Sequence, residues 1–338
     1  MSVTIKDIAK KANVSITTVS RVLNHKTEGI GQATRKKVLD IIEELDYRPN
    51  TIARSMITKQ TNTIGLIIPD IRNPFFPELV RGVEDIANQS KYSVFLCNTD
   101  GDVDRESESL RLMKEKNVDG IVFTYAYASP SKQLEELAGN SKVPFVLLDR
   151  GLDDQKFSGV YIDNEKAGHM ATKHLLELSH TKIGCITGPR DIPNSKDRLK
   201  GYLKAFAESG IPAGENLIIE GDYQMEGGYL AAKTLLGKEN VTAIFAFNDL
   251  MAFGVYQAAA DLGIRIPEDL SVVGFDNLKY NQLLKPKLTT IEQSAYKMGE
   301  IATEMLLKQL KEGSNVENKT IYLEPSMIVR ESTKKLEK

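Results

Sequence analysis

Along the first sixty positions apolar residues recur with the 3.6-residue period of short helices; beyond them the pattern becomes compact apolar runs separated by amphipathic stretches. At the start, Thr4 and Asp7 stand as the cap and first-turn acid of a helix whose Ile5, Ile8, Ala9 and Ala12 share one face. Asn13 and Val14 form a turn. Ser15 then caps a second helix over 16–24, which buries Ile16, Val19, Val22 and Leu23. A third helix over 32–45 is expected to turn Val38, Leu39, Ile42 and Leu45 inward. Further on, apolar runs at 63–68, 92–97, 119–123 and 144–148 alternate with helical stretches at 76–90, 104–116 and 131–138. The alternation resumes with runs at 182–187, 217–220, 242–247 and 270–275 between helices at 164–178, 196–209, 225–236 and 250–262. Continuous apolar strands separated by helices predict buried parallel sheets. The fold expected is an all-α helix-turn-helix head followed by an α/β body of two doubly wound parallel-sheet lobes. Helix 298–311 closes the first lobe, and the chain crosses between lobes near 161–163, 291–293 and 323. The division expected is a head at 1–48, a linker at 49–60 and a body at 61–338. Within the body the first lobe takes about 61–161 and 293–322, the second about 162–292 and 323–338.

Charge sharpens the division. The first sixty residues carry eleven Lys/Arg and six Asp/Glu, so a head of +5 precedes a body of −7 inside a chain of net −2. Such asymmetry marks phosphate binding confined to one module. The second helix presents Thr17, Thr18, Ser20 and Arg21 away from its core, a surface suited to base edges in a major groove; Arg35 and Lys36 open the third helix where phosphates would lie. With 338 residues, 41% of them hydrophobic, the chain has material for two sizeable cores beyond the head. Cys97 and Cys185 each sit in an apolar run without CxxC or histidine spacing and are expected to be buried reduced thiols. No apolar leader opens the chain and no run approaches the roughly 18 residues of a membrane span. A cytoplasmic location without membrane contact is therefore expected.

The predicted strands end in polar clusters. Asn73, Phe75 and Phe76 follow the first strand, and Asp149 and Arg150 follow the fourth. Arg198 lies near the start of a helix of the second lobe; Tyr223, Asn248, Asp276 and Gln293 follow later strands. Ligands of doubly wound sheets bind at the carboxyl ends of strands. Sugar hydroxyls both donate and accept, so a sugar pocket mixes Asp, Asn, Gln and Arg with aromatics against the C–H faces, as this set does. Asp249 also suits the cap of the helix it opens, and Asp70 the holding of its loop. GxSxG and GxxxxGK[ST] are absent and the four histidines lack ligand spacing, so no catalytic residue, metal site or cofactor is expected.

The segments TIKDIAKKANVSITTVSRVLN (4–24) and YRPNTIARSM (47–56), with the body motifs IGLIIPDIRNPFF, LLDR, FNDLMAFG and SVVGFDN, resemble the lactose-repressor (LacI/GalR) family of bacterial transcription regulators over nearly the whole chain. The resemblance implies a periplasmic-binding-protein-like body, a homodimer, and a hinge helix over 50–57 that folds on operator DNA and enters the minor groove. Asn50, Ala53, Arg54 and Met56 would act there. Met56 replaces the family's usual leucine as an apolar wedge between base steps. The order of polar groups at the strand ends is similar to that of ribose repressors and ribose-binding proteins, with Tyr223 where phenylalanine is usual. The function implied is an operator-binding repressor controlled by a small sugar, D-ribose foremost. The alternatives are another pentose, a nucleoside, or a catabolite regulator switched on by a phosphorylated carrier protein docking on 298–311.

Overall fold

The computed structural model describes residues 3–24, 26, 28–47, 60–125, 143–150, 157–237, 241–313 and 317–337. The hinge positions Asn50, Ala53, Arg54 and Met56 and the helix expected at 131–138 lie outside them. Two compact units divide the chain, Met1–Thr61 and Asn62–Lys338.

The first unit holds α1 (Ile5–Ala12), α2 (Ile16–Leu23) and α3 (Gln32–Glu44). The amide and hydroxyl of Thr4 both donate to the Asp7 carboxylate, at 2.9 and 2.7 Å. This negative charge at the N-terminus complements the helix dipole. Asn13 takes the left-handed conformation that ends α1, and the Thr18 amide donates to the Ser15 hydroxyl (3.0 Å) to start α2. Ile8, Ala9, Ala12, Val19, Val22, Val38 and Ile41 form the core. Two expectations fail here. Leu39 is 41% exposed and Ile16 44% exposed, and Ile41 takes the inward place. Residues 38 and 41 stack one turn apart on one stripe, whereas Leu39 is rotated about 100° from Val38. Ile16 is the first residue of α2, and the buried positions of that helix, Val19 and Val22, come a turn or more later.

In the second unit, β1 (Thr63–Ile68), β2 (Ser93–Asn98), β3 (Gly120–Phe123), β4 (Phe145–Leu148), β5 (Ser158–Ile162) and β11 (Thr320–Leu323) form a parallel sheet. Its order is β11-β5-β4-β3-β1-β2. The second sheet contains β6 (Ile183–Thr187), β7 (Ile218–Glu220), β8 (Ala243–Ala246), β9 (Ser271–Asp276), β10 (Thr289–Glu292) and β12 (Ser326–Ile328). Its order is β12-β10-β9-β8-β6-β7. Only β12 is antiparallel to its neighbour. The helices are α4 (Phe75–Gln89), α5 (Val103–Glu115), α6 (Asn164–Glu177), α7 (Pro193–Glu208), α8 (Met225–Leu236), α9 (Asp249–Asp261) and α10 (Ala295–Glu312). After β10 the chain returns through α10, whose Met298, Ala302 and Leu306 pack against Ile64, Val122 and Val146 of the first sheet. The strands β5, β10, β11 and β12 arise where only crossovers were expected, and α7 starts at Pro193 rather than 196. Proline fits a first helical position because it has no N–H to leave unpaired there. Cys185 is buried, but Cys97 is half-buried, because β2 is an edge strand.

Helix pairs touch backbone to backbone. A Cβ at Gly168 of α6 would lie 2.2 Å from the Arg198 carbonyl oxygen of α7, and one at Gly201 would lie 2.1 Å from that of Glu165. Glycine pairs do the same between α4 and α10 (Gly82, Gly299) and between α8 and α9 (Gly228, Gly254).

Candidate functional site

The carboxyl ends of both sheets converge on one cleft. All ten residues singled out at the strand ends line it: Asn73, Phe75, Phe76, Asp149, Arg150, Arg198, Tyr223, Asn248, Asp276 and Gln293. Asn194 lines it too and was missed. Its signal was its place four residues before Arg198 on α7, which puts both on one helix face.

The first lobe supplies the apolar floor and one charged pair. Asn73 Oδ1 accepts the Phe75 amide (3.1 Å), which fixes the first turn of α4. Phe75 and Phe76 then pack edge to face with centroids 5.1 Å apart. Asp149, at φ 62°, is buried; Asn194 Nδ2 of the second lobe donates to it (3.1 Å). Arg150 donates to the Tyr125 carbonyl at 3.1 Å. Burial pushes the Asp149 carboxyl up, partly offset by Arg150 and Arg198.

Arg198 is held on three sides in the second lobe. Its Nε donates to Asn164 Oδ1 (2.8 Å), its Nη1 to the Phe247 carbonyl, and its guanidinium lies 3.5 Å from the centroid of the Phe275 ring. Asn248 Oδ1 accepts the Met251 amide (2.9 Å) and so caps α9, while its Nδ2 donates to the Tyr223 carbonyl (2.9 Å). The expected capping role of Asp249 therefore falls to Asn248. Asp276, at φ 114°, accepts from Gln293 Nε2 (2.5 Å). Its carboxyl is pushed well up by burial first, then by the neighbouring Asp249 charge, against the pull of Arg198. Tyr223 also has positive φ, 64°. Conformations of this kind cost about 1–3 kcal/mol each and collect at functional sites.

Two buried polar atoms of the lining, Gln293 Oε1 and the Tyr223 hydroxyl, have no hydrogen-bond partner. The Ser195 hydroxyl, which lies near that of Tyr223, donates instead to the Gly188 carbonyl (2.9 Å). Each such orphan costs about 1–3 kcal/mol, which a polar ligand would relieve.

In the first unit, Thr17 and Arg21 are exposed, Thr18 and Ser20 half-buried, and Arg35 and Lys36 exposed at the start of α3. The Thr18 hydroxyl pairs with that of Ser15 (2.9 Å). The Arg21 guanidinium folds onto the adjoining loop, donating to the carbonyls of Lys26 (3.3 Å) and Glu28 (2.7 Å). Among the described residues no helix is long and apolar enough to cross a membrane, and no group of three His, Cys, Asp or Glu is arranged to hold a metal ion.

Residues 61–324 match the family of periplasmic binding proteins and sugar-binding domains of the LacI family, and residues 4–50 match the lacI family of bacterial regulatory proteins. The HTH-type transcriptional repressor PurR of Aliivibrio salmonicida is 38% identical over 334 residues, 98% of this chain and 99% of that protein. The lac repressor dimer bound to operator and the anti-inducer ONPF superposes with a TM-score of 0.88 at 27% identity, over 99% of this chain and all of that one. A LacI family regulator from Enterococcus faecium with bound ribose gives 0.73 at 33% identity, over 81% of this chain and all of that one.

Proposed function

Since this chain belongs to the lacI family of bacterial regulatory proteins, we propose that it is an operator-binding repressor whose DNA affinity is set by a small neutral sugar in the cleft, D-ribose first. The observation that carries the sugar reading is the lining: Asp149, Asn194, Asn248, Asp276 and Gln293 mixed with Arg150, Arg198 and two phenylalanines, with Gln293 Oε1 left unpaired. Both arginines already donate to backbone carbonyls, at Tyr125 and Phe247, and two carboxyls share the space. An anionic sugar phosphate would meet those carboxyls with the arginines partly committed, so an uncharged polyol is the better partner. The ribose-bound relative supports the same choice.

On DNA, Thr17, Thr18, Ser20 and Arg21 face base edges, Arg35 and Lys36 grip phosphates, and Asn50, Ala53, Arg54 and Met56 enter the minor groove. A homodimer, supported by the likeness to the lac repressor dimer, reads two half-sites about one helical turn apart. We assign the head to 1–48, the linker to 49–60 and the sensing body to 61–338. Calorimetry of the full chain against pentoses, hexoses and nucleosides, run beside operator binding, tests the reading. Saturable ribose binding that changes operator affinity is expected. A silent panel removes the sugar reading and leaves a protein effector, such as a phosphorylated carrier on 298–311.

A further inference from the structure

We propose that Asp249, which lines no part of the cleft, is a positioning residue of the effector site: it fixes the two chain segments that carry Asp276 and Gln293. The inference rests on the cleft reading given above and deepens it. Asp249 opens α9 and is fully buried. Because Asn248 already caps that helix, the Asp249 carboxylate is free to serve elsewhere. Its Oδ2 accepts the Leu278 amide (2.8 Å) and Asn281 Nδ2 (2.7 Å), and its Oδ1 accepts the Thr290 hydroxyl (2.7 Å). Leu278 stands two residues after Asp276, and Thr290 three before Gln293. One carboxylate thus clamps the exit of β9 and the body of β10, on either side of the hydrogen-bonded Asp276–Gln293 pair.

The clamp has a conformational load to hold. Asp276 and Asn277 follow each other at φ 114° and 56°, a bend that non-glycine residues leave unless something restrains them. Space is reserved for the carboxylate as well, since a Cβ at Gly274 would lie 2.2 Å from Asp249 Oδ1. Beyond the bend the segment reaches the first lobe: the Leu278 side chain joins that lobe's core, and Lys279 pairs with Glu78 of α4 (2.8 Å). The loop anchored by Asp249 therefore joins a cleft carboxylate to the opposite lobe, and its geometry bears on cleft affinity and closure together.

Hydrogen exchange of the unliganded full-length chain reads the positioning without any ligand. Asp249→Asn keeps the shape but presents an NH2 where acceptance is needed. It should raise exchange across 276–283 by about tenfold while β8 stays as protected as in the wild type. D-ribose affinity should fall by about tenfold as well. Thr290→Val, which removes one donor and keeps the volume, should move both readouts the same way by less, and it carries the test where Asp249→Asn does not fold. Unchanged exchange over 276–283 in the variants overturns the proposal, as does a lowered Tm with unchanged exchange and affinity. Should the wild type ignore ribose while 276–283 still loosens in the variants, the clamp stands and the ribose assignment falls.

Discussion

At the scale of single residues, two side chains carry predictions that their surroundings define. Asp276 is buried beside Asp249 and Asp149, with Arg198 offsetting part of the cost and Gln293 donating to it, so its folded pKa is raised. A raised carboxyl binds its proton more tightly in the folded than in the unfolded state. The empty protein therefore loses stability as pH climbs from the usual carboxylate range through the raised value. Sugar hydroxyls donating to this carboxylate favour its ionised form and lower its pKa in the complex. Ribose binding should then release protons, and affinity should rise with pH through the same window. Calorimetry in buffers of different ionisation enthalpy checks this; zero proton release with a flat affinity as pH rises above the usual carboxylate range counts against it. Arg21 is the second case. Its loop contacts to Lys26 and Glu28 are exposed, so the proposed base contacts would replace them at little cost. Arg21→Ala should cost about 1–3 kcal/mol at the operator with little loss on random DNA, whereas Lys36→Ala should weaken both alike. Equal losses on both DNAs for Arg21→Ala, in a titration by fluorescence anisotropy, would make it a phosphate contact only.

At the scale of elements, α6 and α7 show what the pattern of apolar residues conveys and what it leaves out. The strand ends were legible because each buried run stops at a polar cluster, and those clusters hold nine of the eleven lining residues, Asn194 and Arg198 lying on α7. Strands β5 and β10 were not, since both run straight into the crossovers between lobes. Leu39 and Ile41 exchanged places because hydrophobicity alone does not fix the phase of a helix whose apolar positions fill more than one stripe. The glycine contacts were invisible for a different reason: a glycine inside a helix reads as a weak position until its neighbour's backbone is known. Gly168→Ala makes this testable. Its methyl group would meet the carbonyl oxygen of Arg198, and α7 must move to admit it. A shift of α7 carries Arg198 off Phe275 and Asn194 off Asp149, so the variant should lose about 1–3 kcal/mol of stability and bind ribose more weakly. Thermal unfolding and a ribose titration of the same sample check it; lower stability with unchanged affinity would show that the crossing does not set the site.

At the scale of the whole molecule, the question is what holds the two lobes of the sensing body together over a ligand. Among the described residues, polar contacts that bridge them without one include Gln224 to Asp70 (2.9 Å), Lys279 to Glu78 (2.8 Å) and Asn194 to Asp149 (3.1 Å), beside the Leu278 side chain packed in the first lobe's core. Lys279 is 83% exposed at its side chain, and surface pairs of that kind contribute about 0–1 kcal/mol. That pair therefore adds little to closure, and a ligand bonded to both lobes has room to shift the balance. Arg150 follows β4 of the first sheet and Asp276 ends β9 of the second, so a sugar held by both ties one lobe to the other. Removing either group leaves buried polar atoms unpaired, at about 1–3 kcal/mol each, or about five- to 150-fold in affinity. Asp276→Ala and Arg150→Ala should each bind operator as the wild type does, because the residues proposed to read DNA lie in the other unit. Neither should respond to ribose at concentrations that switch the wild type. Operator anisotropy across a ribose titration measures both properties in one cuvette. A variant that still switches at the wild-type concentration would place the effector outside this cleft, and the sugar reading would go with it.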